Sequence, residues 1–93
     1  MDELNNIFNK IGPIFAHKSV IYGINQIKNG QVVSVSRDGS IKFWDILKQI
    51  CVLKIDLEKK EGSYDHIIQL NDGRLCFGSS NHKIKIFNDL PVL

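Results

Sequence analysis

From residue 20 onward, apolar and polar positions alternate, and turn-forming residues recur every 8 to 12 positions, a pattern of strands and hairpins rather than of helices. The punctuation predicts strands over residues 20–27, 31–36, 40–45 and 51–57, then over 64–70, 74–79 and 83–88. Asn29-Gly30 supplies the positive-φ residues that a tight hairpin needs, and Asp38-Gly39, Asp72-Gly73 and Asn81-His82 mark the other turns. After residue 88 a further strand would be short and at an edge, because Pro91 cannot donate to a ladder. At the other end Leu4, Ile7, Phe8 and Ile11 follow helical spacing behind Asp2, a residue suited to an N-cap. Residues 1–12 therefore form either a short amphipathic helix or part of an outer strand, which would cover residues 13–16 or a longer stretch starting near Ile7.

The strands fall into two units. At an offset of 43, Ile24, Gln26, Gly30, Ser36, Ile41 and Lys42 meet identical residues at Ile67, Gln69, Gly73, Ser79, Ile84 and Lys85, with no gap. The units span about residues 13–57 and 58–93 and make a single domain. Their architecture is all-β.

Composition narrows the function. A 93-residue chain that is 43% hydrophobic and 24% charged can bury one core, and a net charge of +2 is too small to hold a phosphate backbone. Binding to nucleic acid, with Lys59-Lys60 and Lys83-Lys85 as its cations, ranks last because aromatic and basic residues do not interleave. No apolar run approaches the roughly 18 residues of a membrane span, and the N-terminus lacks a basic start, so no membrane association and an intracellular, cytoplasmic location are expected. Cys51 and Cys76 sit in apolar runs and read as reduced core residues.

The segment from Val32 through Asp38-Gly39 to Trp44-Asp45 resembles the WD40 repeat family, matching its strand, its Ser-x-Asp-Gly turn and its Trp-Asp ending. His17 stands where the family has the histidine of a Gly-His pair, although Ala16 replaces the glycine. The resemblance covers about residues 13–88 and implies two four-stranded antiparallel propeller blades, the second divergent. It also implies a hydrogen-bonded structural network of His17, Asp38, Trp44 and either Ser34 or Ser36. In the second unit Lys60, Asn81, Phe87 and Phe77 fall at the positions of His17, Asp38, Trp44 and Ser34, so no such network is expected there. The family's partner-binding face maps onto Arg37, Ser19, Ile21, Tyr64 and Ser80, with Arg37 suited to an acidic or phosphorylated peptide by its planar five-donor fork. The function implied is a protein-interaction scaffold or complex subunit.

Catalysis is not expected. No serine lies in a strand-to-helix elbow, so His17, Asp38 and a serine read as structure rather than as a hydrolase triad. His17, His66 and His82 lack ligand spacing, which predicts no metal, and neither glycine-bearing turn has phosphate-loop spacing, which predicts no cofactor. Asp56, Glu58 and Glu61 border Lys59-Lys60 in a solvated connector.

Two blades make an incomplete propeller, because each blade buries both faces only against neighbours. Three completions stay open. The chain is a piece of a longer propeller, or its bare faces are filled by a partner protein in a heteromeric assembly, or copies close head to tail into a homo-oligomeric ring.

Overall fold

Alternation along each segment puts successive side chains on opposite faces of a sheet. The computed structural model describes residues 13–57 and 64–88. In chain order the strands are β1 (Ile21–Gln26), β2 (Val32–Ser36), β3 (Ser40–Asp45), β4 (Ile50–Asp56), β5 (Tyr64–Gln69), β6 (Leu75–Ser79) and β7 (Ile84–Phe87). Sequential neighbours pair antiparallel, giving a four-stranded sheet ordered β1-β2-β3-β4 and a three-stranded sheet ordered β5-β6-β7. The short edge strand expected after residue 88, the helix or outer strand expected over residues 1–12 and the acidic part of the connector at residues 58–63 lie outside the described residues.

Three expectations need correction. Residues 13–16 form no strand; they run as an irregular segment ahead of β1, and the outer strand of the first sheet is β4 from the same unit. In the β1–β2 turn only Gly30 takes a positive φ, at 90°, and Asn29 acts instead through its side chain, whose Oδ1 accepts the Gln31 amide at 2.9 Å. The turn is therefore a longer G1-type loop closed by the Gly30 amide on the Ile27 carbonyl at 2.9 Å. Cys51 is exposed rather than part of the core, because β4 is an edge strand that turns this position outward; Cys76 is half-buried and both thiols are free.

The repeat recurs in the hydrogen bonds. Gly30 and Gly73 donate to Ile27 and Leu70 carbonyls, both at 2.9 Å, and the Asp38 and Asn81 amides donate to the hydroxyls of Ser36 and Ser79, both at 3.1 Å. Each first hairpin carries a bulge at the matching place, between Ile21 and Gly23 and between Tyr64 and His66.

The sheets stack through unlike faces. Val33, Val35, Ile41 and Phe43 of the first sheet share one core with Tyr64, Ile67, Leu75 and Phe77 of the second. The latter four correspond by the repeat to Ile21, Ile24, Val32 and Ser34, and in β2 the side chains of Val32 and Ser34 point away from those of Val33 and Val35. Gly23 allows the close approach, since a Cβ there would run into the carbonyl oxygen of Asp65. Polar contacts key the seam. The Asn25 side-chain amide donates to the Ile67 carbonyl at 2.8 Å, the Lys28 backbone amide donates to Gln69 Oε1 at 2.6 Å, and the Lys28 ammonium donates to the Asn71 carbonyl at 2.6 Å.

Candidate functional site

On the free face of the first sheet, the segment before β1 is latched to the strands by one histidine. His17, whose side chain is fully buried, places Nδ1 3.0 Å from Asp38 Oδ2 and 3.0 Å from Ser40 Oγ, while Nε2 lies 2.6 Å from Ser34 Oγ. The indole Nε1–H of Trp44 donates to the same Ser34 oxygen at 2.9 Å. A consistent proton assignment follows: Nδ1–H donates to the Asp38 carboxylate, and neutral Nε2 accepts the Ser34 hydroxyl proton, which leaves the Ser34 oxygen to receive Trp44. The Lys42 ammonium adds a bond to the Ala16 carbonyl at 2.6 Å and lies 5.7 Å from the centre of the Trp44 ring.

Asp38 organises the turn as well as the latch. Its Oδ1 accepts the Ser40 amide at 2.9 Å and the Ser40 hydroxyl at 2.7 Å, and its Oδ2 accepts the Lys18 amide at 3.1 Å. Burial pushes the Asp38 carboxyl up, but donors from Ser40, the Lys18 amide and His17 outweigh it and hold the group well below the usual carboxylate range. Among the described residues no buried side-chain nitrogen or oxygen lacks a partner.

Of the residues expected in the network, the structure brings together His17, Asp38, Ser34 and Trp44. Ser36 stands apart from them: its hydroxyl donates to the Val20 carbonyl at 2.8 Å and its oxygen accepts the Asp38 amide. Ser40, buried and bonded to both Asp38 and His17, is a member that sequence reasoning missed. The signal was present, since a serine two residues after an aspartate in a turn is placed to meet that carboxylate.

The chain Asp38, His17, Ser34 has the hydrogen-bond order of a hydrolase triad, yet it lacks a nucleophile's access. Ser34 is 1% exposed and its oxygen already serves Trp44, so no carbonyl can reach it. Among the described residues no group of three or more His, Cys, Asp or Glu side chains could hold a metal ion. No helix of the described residues is long and apolar enough to cross a membrane.

The loop-face residues divide. Arg37, Ser19 and Ile21 are exposed near the start of β1, where the Arg37 amide donates to the Val20 carbonyl at 2.9 Å and fixes the end of β2 against the incoming chain. Ser80 is exposed at the matching turn of the second sheet. Tyr64 does not belong with them: it is 3% exposed and packs edge-on to Phe77 with centroids 6.1 Å apart, because the bulge at the start of β5 turns its ring into the seam between sheets.

No family model matches the chain, and no curated protein matches it. Among solved structures, the WD40 β-propeller domain of Doa1 superposes with a TM-score of 0.69 at 25% identity, over 81% of this chain and 25% of that one. The computationally designed Ika4 protein superposes with a TM-score of 0.66 at 27% identity, over 84% of this chain and 46% of that one. The chain thus spans a quarter of the first structure and under half of the second.

Proposed function

Because the chain is built of WD40-type β-propeller blades, we propose that it is a cytoplasmic protein-interaction module, serving as a scaffold or complex subunit with no chemistry of its own. Propellers of this fold are generally non-catalytic interaction modules. The observation that carries the reading is the fixed end of the first sheet, where Arg37 is presented to solvent from a turn pinned on both sides by the Val20 carbonyl and by Asp38. A rigid backbone there lowers the ordering cost of binding, and a guanidinium accepts a carboxylate or phosphate through two parallel bonds. Ser19, Ile21 and Ser80 complete the candidate contact surface.

The partner class that fits is an acidic or phosphorylated peptide. Titrating the chain with panels of Asp/Glu-rich and phosphoserine peptides should give salt-sensitive binding that weakens about tenfold or more in Arg37→Glu. Binding unchanged by Arg37→Glu, or no binding by any acidic peptide, would remove Arg37 from the role.

A further inference from the structure

Positions that are buried in one unit are bare in the other, and they are bare on complementary faces. Ile41 and Phe43 are 0% and 1% exposed in the seam, whereas their repeat equivalents Ile84 and Ile86, on the far face of the second sheet, are 72% and 45% exposed. Tyr64 and Ile67 are 3% and 6% exposed in the seam, whereas Ile21 and Ile24, on the free face of the first sheet, are 44% and 67% exposed. The far face of the second sheet, which also carries Ile68, is thus the counterpart of a face that docks a blade inside the chain. The free face of the first sheet is likewise the counterpart of the face that is docked.

We propose that a second copy of this chain occupies these faces, head to tail, continuing the seam that already joins the two sheets. The contact is heterologous: the second sheet of one copy lies on the first sheet of the next. Gln26 is its polar key. Within the chain Gln69 is held by its amide nitrogen on the Gly73 carbonyl at 2.9 Å, leaving Oε1 to accept the Lys28 backbone amide. Gln26 is held in the same way on the Gly30 carbonyl at 3.2 Å and lines a groove with Asn29, Gln31, Asp45 and Leu47, so its Oε1 is the counterpart of the Gln69 acceptor. By the repeat, the donor that reaches it is the backbone amide of Asn71 in the adjoining copy.

The contact between copies is looser than the internal seam at two places. His66 stands at the position of Gly23, so a Cβ intrudes where the internal seam has none, and Ile68 stands at the position of Asn25, so the donor to the Ile67 carbonyl has no counterpart. These two residues make the proposal sharply testable.

Sedimentation and native mass of the whole 93-residue chain, measured across concentration with circular dichroism on the same samples, supply the readout. Association should rise with concentration. Ile24→Glu and Ile86→Glu alter exposed side chains, and each should be a β-rich monomer; mixed, they should form dimers and nothing larger, since one intact contact remains. Gln26→Ala should weaken association about tenfold. The double variant His66→Gly, Ile68→Asn should strengthen it by a similar factor, which a merely sticky surface would not do. A wild-type chain that stays monomeric throughout overturns the proposal. So do an Ile24→Glu chain that still dimerises alone, through a face-to-face contact, and a double variant that associates no better. Ile21 belongs to both surfaces, so the two readings are separated by variants outside the overlap: Arg37→Glu, in a turn off both sheet faces, tests peptide binding, and Ile24→Glu, Ile86→Glu and Gln26→Ala test this contact.

Discussion

The two sheets share a register and a turn plan but are clasped by opposite means. In the first, Trp44 and Ser34 are joined by a hydrogen bond that His17 extends to Asp38. In the second, the same two positions hold Phe87 and Phe77, whose rings meet edge-on with centroids 5.4 Å apart. Lys42 and Lys85 nevertheless lie over the matching rings at 5.7 and 5.9 Å. The difference teaches that the polar latch is not what specifies the strands. Linked polar groups are exchanged as a set, because removing one partner strands the others whereas removing all of them leaves an apolar site that packs.

The comparison breaks most severely in the second sheet. Phe77 is fully buried and touches both Tyr64 and Phe87, so Phe77→Ala should cost about 3–5 kcal/mol, read by chemical denaturation at fixed dilution. Asp38→Ala should cost about 1–3 kcal/mol by orphaning His17, Ser40 and the Lys18 amide, whereas Asn81→Ala at the matching exposed position should cost only a few tenths, roughly the range of surface substitutions. Equal losses in these two variants would erase the distinction between the sheets.

Acid sharpens it. The folded state holds the Asp38 carboxyl below its ordinary value, so its contribution is complete above the unfolded value of about 3.9 and is lost as pH falls below that. Thermal midpoints should therefore drop more between neutral pH and about pH 3 in the wild type than in Asp38→Asn, which has no proton to gain. One further substitution should bring a gain. His82 sits at φ 63° where the first unit has Gly39 at 88°, and His82→Gly should stabilise by up to about 1 kcal/mol, seen as a raised midpoint.

Strands were legible because each needs only local alternation and a turn, and every one falls within a residue or so of its alternating segment. The turn after β3 was not: it carries Gln49 at φ 56°, a residue with no turn preference, held by the Gln49 amide on the Ile46 carbonyl at 3.3 Å. Within the latch, the family resemblance named His17, Asp38 and Trp44, but it left Ser34 and Ser36 as alternatives because both point to the same sheet face; only their places along it separate them, Ser34 beside His17 and Trp44 and Ser36 on the Val20 carbonyl. Tyr64 misled for a different reason. A bulge shifts which way a strand-start residue points, and the alternation carries no mark of it.

The chain has a single tryptophan, and it is the one in the latch. Its indole is 7% exposed, and its nitrogen is bonded to Ser34. The fluorophore therefore watches one sheet alone, on the face that would receive another copy, while the aromatic clasp of the second sheet is dark under indole excitation. Loosening of His17 would show as a red-shifted emission before any strand is lost, which gives this molecule a built-in optical gauge of its more polar half.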